Sequence, residues 1–153
     1  MDFSVFSDDH YMKLAYKEAL KARDQKEIPV GAVVVCGQTV VAKAYNQTET
    51  LQDVTAHAEI LAITAASNYL GAKYLTECTL FVTLEPCAMC AGAIFWSQLQ
   101  RLVYAANDPS KGYTTFAHKQ DGGLLHPRTE VSSGLLADPC GLLIEDFFRE
   151  LRN

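Results

Sequence analysis

Two kinds of apolar pattern alternate along the chain. Segments in which apolar residues recur every three or four positions, as in amphipathic helices, predict helices over residues 7–23, 56–69, 86–97 and 140–151. Segments rich in β-branched and apolar residues predict strands over residues 29–36, 39–45, 78–84, 101–106 and, as a shorter run, 129–132. Helices and strands therefore follow one another along most of the chain.

This alternation predicts an α/β layer fold, in which a mixed sheet carries helices on both faces. Gly37 and Gln38 form the predicted hairpin turn between the first two strands. The chain has 153 residues with no internal repeat or linker, so we expect a single domain over residues 1–153. Residues 108–127 contain no predicted element, and loops of about twenty residues are usually functional or disordered.

Composition narrows the functional class. Apolar residues make up 49% of the chain and charged residues 20%, which excludes an intrinsically disordered protein. The longest apolar runs are far shorter than the ~20 residues that span a bilayer, so no membrane segment is expected. The net charge of −5 does not favour a non-specific nucleic-acid binder, since such proteins are usually basic.

Cysteine usage points to a reducing compartment. The acidic amino-terminal segment has neither the basic nor the long apolar region of a signal peptide. The five cysteines are an odd number, which argues against a disulfide framework. We therefore expect a cytoplasmic protein whose thiols are reduced.

Three residues on two predicted helices could hold a metal ion. Cys87 and Cys90 are three positions apart at a helix start, so both thiols lie on one face, where the helix dipole favours thiolates. His57, which opens another predicted helix, is the expected third ligand. Three protein ligands leave one tetrahedral corner for water, as in catalytic zinc sites. The alternative is a closed structural site that also uses Cys36 and Cys78 from the predicted strands.

Glu59 is the candidate for proton transfer. It follows His57 by two positions, so the two side chains converge only if His57 lies at the entry to its helix. A carboxylate beside a metal-activated water can act as a general base and then as a general acid. The alternative is an acidic residue that only stabilises the first helical turn through the helix dipole.

The motif H-A-E at residues 57–59, followed by P-C-A-M-C at residues 86–90, resembles the zinc-dependent cytidine/adenosine deaminases. The closer resemblance is to the tRNA adenosine deaminase family. It covers nearly the whole chain, through residues 27–35, 46, 55–60, 80–94 and 134–149. The resemblance implies a three-layer α/β/α fold with a five-stranded mixed sheet, one zinc ion per subunit and a homodimer.

The resemblance also implies an activity, the hydrolytic deamination of adenosine to inosine at the wobble position of tRNA, with the anticodon arm as partner. His57, Cys87 and Cys90 would hold the zinc. The zinc would activate water for attack on carbon 6 of adenine, and Glu59 would transfer the protons.

Five further positions are implied as substrate contacts. Asn46 would bond the flipped base, although an asparagine after a strand can equally cap a turn. The backbone N–H of Ala58 would bind a polar edge of the base. Asp108 and Lys111 lie in a loop that approaches RNA in this family, with the lysine one place later than the family pattern has it. Phe148 would pack at the base pocket or in the core.

Trp96 departs from the family pattern, where a smaller or polar residue is common. A tryptophan there resembles guanine deaminases of the same superfamily, so it could stack on a free purine, fill the core or lie in a dimer interface. Two alternatives stay open. One is a free-base deaminase acting on guanine or cytosine with the same zinc mechanism, which Trp96, the acidic net charge and the unusual loop residues 113–116 favour. The other is a non-catalytic, zinc-stabilised binding module. Arg149 and Arg152 are candidate phosphate contacts, and Glu85 is expected only to position the Pro86 turn.

Overall fold

The computed structural model describes residues 6–117 and 123–153. The strands are β1 (Gly31–Cys36), β2 (Thr39–Tyr45), β3 (Cys78–Leu84), β4 (Arg101–Ala106) and β5 (Glu130–Ser133). The helices are α1 (Asp8–Asp24), α2 (Ala58–Leu70), α3 (Ala88–Ser97), α4 (Tyr113–Ala117) and α5 (Ala137–Arg152). None of these helices is both long and apolar enough to cross a lipid bilayer.

The five strands form one mixed sheet in the order β2-β1-β3-β4-β5. β1 is antiparallel to β2 and β3, whereas β3, β4 and β5 are parallel. Parallel neighbours need crossover connections, and here α3 connects β3 to β4. The expected mixed sheet of five strands is therefore confirmed.

Two helical layers cover the sheet, because successive side chains of a strand point to opposite faces. Val34 of β1 and Leu80 of β3 belong to the core beneath α2 and α3. Their neighbours Val33 and Phe81 pack with residues of α1 and α5 in a second core. The three-layer α/β/α architecture is confirmed.

Element boundaries differ from the expected ones where tertiary contacts decide them. The helix expected from Pro86 begins at Ala88, because Cys87 is its N-cap. The last helix has its N-cap at Leu136, in the left-handed conformation, so Asp138 lies inside the first turn. The expected long loop contains the short helix α4.

Gly31 marks a close approach between α1 and the sheet. A Cβ at this position would overlap the backbone carbonyl of Ala15 and the backbone nitrogen of Ala19. The Gly31 N–H also donates a hydrogen bond to the hydroxyl of Thr83 in β3, at 3.1 Å. Because the α1 atoms belong to the backbone, a side chain could fit only if the helix moved away from β1.

We expect Gly31→Ala to lower the free energy of unfolding by about 2 kcal/mol or more, because an extra methyl group here forces a backbone shift. Gly141→Ala in α5 is the matched control, since a Cβ there would meet Ala106 Cβ at an ordinary 3.9 Å. Alanine is also the better helix former, by up to ~1 kcal/mol. Urea unfolding measures both variants, and equal losses of stability would contradict the close approach.

Candidate active site

A cavity of about 530 Å³ lies where the carboxyl ends of β3 and β4 meet the amino ends of α2 and α3. Ligands commonly bind at this edge of an α/β sheet. Of the nine expected site residues, only Cys90, which is fully buried, is absent from the lining. The others all line it: Asn46, His57, Ala58, Glu59, Cys87, Asp108, Lys111 and Phe148.

His57, Cys87 and Cys90 place their potential ligand atoms within 4.8 Å of one another. The His57 Nδ1 atom lies 3.7 Å from Cys87 Sγ and 3.6 Å from Cys90 Sγ. Tetrahedral zinc with ordinary Zn–N and Zn–S bonds would hold these atoms ~3.6 Å apart. The donor set and its spacing therefore fit one zinc ion and leave one coordination position for water.

The closed four-cysteine alternative lacks support. Cys36 and Cys78 are direct partners across the antiparallel β1 and β3 strands. Within the described ranges 6–117 and 123–153, neither belongs to the group of residues that could hold the metal.

Local helix geometry explains why these three side chains converge. His57 and Cys87 are the N-caps of α2 and α3, and neither side chain caps its own helix. Their backbone carbonyls instead accept the first helical hydrogen bonds, at 3.0 Å from Leu61 and 2.9 Å from Ala91. Cys90 lies one turn into α3, on the same face as Cys87. The entry position of His57, required for its convergence with Glu59, is thus observed.

The thiols and the imidazole form a tightly hydrogen-bonded group. Bonds from Cys90 and from His57 lower the pKa of the Cys87 thiol to about 4. The same Cys87–Cys90 bond, together with burial, raises the pKa of Cys90. The bond to Cys87 raises the pKa of His57. One thiolate is therefore favoured before a metal arrives, and metal binding displaces the remaining protons.

Glu59 lies in the first turn of α2, with only 4% of its surface exposed, and it lines the cavity. Burial raises the pKa of its carboxyl group to about 7. A carboxylate that served only the helix dipole would gain nothing from losing its water, since burying a charge is costly. The position of Glu59 therefore favours a role in the chemistry of the cavity.

Asn46 presents a buried acceptor without a partner. Its Nδ2 donates a hydrogen bond to the carbonyl of Ile28 at 3.3 Å. Its Oδ1 is buried and has no partner among the residues that the structure describes. Leaving such a group unsatisfied costs ~1–3 kcal/mol, so a donor from a ligand would stabilise the site. A turn cap would use this oxygen, and that alternative is not observed.

The remaining expected contacts lie at the cavity rim. Asp108 Oδ1 accepts the backbone N–H groups of Ser110 and Lys111 at 3.2 and 3.1 Å, so it shapes the turn that presents the exposed Lys111. Phe148 of α5 keeps 37% of its surface exposed, which excludes full burial in the core. Arg149 pairs with Asp146 at 2.8 Å, with both side chains exposed.

Trp96 lies outside this cavity. It is 74% exposed on α3 and borders a separate shallow groove together with Tyr74 and Ala93. The expectations that it stacks on a base in the site of its own chain, or fills the core, are therefore wrong. The third expectation, a subunit interface, stays a prediction.

Sequence reasoning missed the apolar walls of the cavity and one of its acids. Ile28 and Val30 line it from the start of the sheet, and Ile144 lines it from α5. The apolar face of the last predicted helix indicated that this face is buried, but it did not indicate that the face lines the cavity. Glu85, expected only to hold a turn, also lines the cavity.

We expect Cys87→Ser to weaken zinc affinity by more than ~100-fold, because even the loss of an outer-shell partner of a metal site costs 10–100-fold. Cys36→Ser is the matched control and should leave affinity unchanged. Chelator competition and the zinc content per chain measure both variants. A loss of zinc in Cys36→Ser would instead support the closed site that also uses Cys36 and Cys78.

Comparisons with known proteins agree with this geometry. The cytidine and deoxycytidylate deaminase zinc-binding region matches residues 6–106 of the chain. The tRNA-specific adenosine deaminase of Bacillus subtilis (strain 168) is 44% identical over 146 residues, which cover 95% of this chain and 91% of the relative.

Two solved structures extend the comparison. One, from studies of A-to-I editing by tRNA deaminases at the wobble position, is 41% identical with a TM-score of 0.82 and covers 88% of this chain and 98% of its own. A guanine deaminase from Bacillus subtilis is 36% identical with a TM-score of 0.64, over 74% of this chain and 69% of its own. The chain belongs to the tRNA-specific adenosine deaminase family, within the zinc-binding cytidine and deoxycytidylate deaminases.

Proposed function

We propose that the chain converts adenosine to inosine at the wobble position of tRNA by hydrolytic deamination. The observation that carries the proposal is the convergence of a zinc-compatible triad with the buried Glu59 on one cavity. Relatives that match nearly the whole chain are named tRNA-specific adenosine deaminases. These two facts together support both the chemistry and the substrate.

His57, Cys87 and Cys90 are the residues that would hold the zinc. Bound zinc supplies a water molecule activated for attack on carbon 6 of adenine near neutral pH. Glu59 would accept one proton from that water and deliver it to the ring nitrogen beside carbon 6. It would then carry a second proton, from the hydroxyl group added to carbon 6, to the amino group, which leaves as ammonia. The cavity walls hold the base in place and exclude bulk water from this proton transfer.

The other cavity residues bind the flipped nucleotide. The unpartnered Oδ1 of Asn46 accepts a hydrogen bond from the base. The backbone N–H of Ala58 lies in the first turn of α2, where N–H groups have no helical partner, and donates to the base. Phe148 packs against the ring, and Lys111, held in its turn by Asp108, binds a backbone phosphate.

Deamination of a free base, guanine or cytosine, is the second candidate. The similarity to a guanine deaminase over 74% of this chain favours it. Trp96 does not support it, however, because this residue does not line the cavity of its own chain. The third candidate, a non-catalytic binding module, does not explain why Glu59 is buried beside the metal ligands.

Ammonia release from a small panel tests the substrate. The panel contains an anticodon stem-loop with adenosine at the wobble position, the same loop with guanosine, and free guanine, adenine and cytosine. We expect turnover of the adenosine loop alone, because only this substrate has both an adenine base for the cavity and phosphates that Lys111 at the rim can bind. Turnover of a free base, without turnover of the stem-loop, would be consistent with the zinc mechanism but would contradict the proposed tRNA substrate.

Glu59→Gln tests the mechanism in the same assay. We expect deamination to fall by at least ~100-fold, as the loss of a general acid–base group usually causes. Zinc content should remain that of the unaltered protein, since glutamine keeps the shape of the side chain. Activity within a few-fold of the unaltered protein would show that another group moves the proton.

We also propose that the chain works as a homodimer in the cytoplasm. Trp96, Tyr74 and Met89 expose large apolar surfaces on and beside α3, and such patches usually mark interfaces. A reducing compartment keeps the metal-binding thiols available.

Light scattering after size exclusion tests the dimer. We expect twice the chain mass of 16.8 kDa, and a shift towards the single-chain mass in Trp96→Glu, because a charge in an apolar interface is costly. A single species of 16.8 kDa for the unaltered protein would refute the dimer.

A further inference from the structure

Glu85 is a buried carboxylate. Among the residues that the structure describes, the donors of its hydrogen bonds all belong to one segment, residues 108–114. Glu85 is 3% exposed. Its Oε1 accepts the N–H of Asp108 at 3.0 Å, and its Oε2 accepts the N–H and the hydroxyl of Thr114 at 3.0 and 2.6 Å. The carboxylate thus joins the two ends of the segment that presents Lys111 at the cavity rim.

Further contacts attach the same segment to the metal-binding turn. The N–H of Tyr113 donates to the carbonyl of Pro86 at 2.8 Å, and Gly112 forms an isolated β-bridge with Cys87. A Cβ at Gly112 would overlap the carboxylate of Glu85, so the segment packs directly on that group. Residues 85–87 therefore hold the rim on one side and contribute a metal ligand on the other.

A second carboxylate in the chain does the same for another loop. Glu27 is 1% exposed, and it accepts the N–H of Glu49 at 3.0 Å and both the N–H and the hydroxyl of Thr50 at 2.6 Å. That loop carries Thr48 into the cavity lining. Burying a carboxylate is costly unless donors surround it, and in both places the donors come from a loop beside the site.

We infer that Glu85 is a positioning residue: its carboxylate sets the distance between the Asp108–Lys111 rim and the metal ligand Cys87. This inference rests on the proposed function for the nature of the substrate. The segment that Glu85 holds is defined by the contacts alone. Glu85 itself need not touch the reacting atoms, because its effect is exerted through the position of the rim.

Amide hydrogen exchange tests the held segment without any substrate. In Glu85→Gln one carboxylate oxygen becomes an amide group that cannot accept a bond, so at least one donor is released. We expect exchange at Asp108 or Thr114 to accelerate by about tenfold or more, while Glu49 and Thr50, held by Glu27, exchange unchanged. If each of the four amides exchanges at the same rate in Glu85→Gln as in the unaltered protein, the inference is overturned, whatever the substrate is.

Steady-state kinetics with the zinc-loaded protein and the adenosine stem-loop separates positioning from general stability. We expect Thr114→Val to raise KM by about fivefold with kcat within twofold, since a displaced rim weakens binding but leaves the metal site intact. Thr114→Ser keeps the hydroxyl group, so its KM should be close to that of the unaltered protein. Thr129→Val is the matched control, because it removes a hydroxyl that donates at 2.6 Å to the carbonyl of Leu99, away from the cavity.

The two experiments distinguish failure of the inference from failure of the proposed function. If the unaltered protein does not turn over the stem-loop, the proposed function fails and hydrogen exchange alone decides the role of Glu85. If the stem-loop is a substrate, an unchanged KM in Thr114→Val, or a fall in kcat matched by a loss of zinc, assigns Glu85 a merely structural role and overturns the inference.

Discussion

The site depends on two helices that begin at the same edge of one sheet. α2 and α3 both start beside the carboxyl end of β3, and the N-cap residue of each could ligate the metal. An N-cap residue has extended backbone geometry, so its side chain points away from the helix while its carbonyl accepts the first helical hydrogen bond. His57 and Cys87 use this freedom to meet across the gap between the helices. Small residues of α2 and α3 pack in the core between these helices and the sheet, and this packing holds the amino ends of the two helices together.

Glu27, Glu59 and Glu85 are buried carboxylates that line the cavity or hold a loop beside it, and their partners distinguish their roles. Glu27 and Glu85 each receive two N–H groups and a hydroxyl from one loop. Burial raises the pKa of Glu27, but the bonds from Thr50 and Glu49 outweigh it and hold the pKa below its usual value. Burial instead dominates at Glu59, whose pKa is raised. The hydrogen bonds of Glu27 and Glu85 therefore suit them to hold a loop in place, and the raised pKa of Glu59 suits it to exchange a proton.

The sequence predicted the layers and the metal triad because both follow from spacing. Runs of β-branched and apolar residues in the strands and apolar residues every three or four positions in the helices are local properties, as is the separation of Cys87 from Cys90. The short helix α4 and the roles of Glu85 and Trp96 follow instead from contacts between distant segments. Nothing near Glu85 in the chain indicates that its partners lie more than twenty residues away, at Asp108 and Thr114. Likewise, the composition around Trp96 suits a buried helix face as well as the exposed one observed.

The net charge of the chain bears on how it would bind the proposed tRNA substrate. Proteins that bind nucleic acid through a broad basic surface gain affinity from many phosphate contacts, and that affinity falls steeply with salt. Because the net charge of this chain is −5, its overall field does not favour such binding, and the affinity proposed here rests on local contacts. The cavity offers such contacts in its apolar walls, in the unpartnered Asn46 acceptor and in Lys111 at the rim. A displacement of Lys111 would remove one of these local contacts. This is the physical reason for a buried carboxylate, rather than a mobile loop, to hold the rim in place.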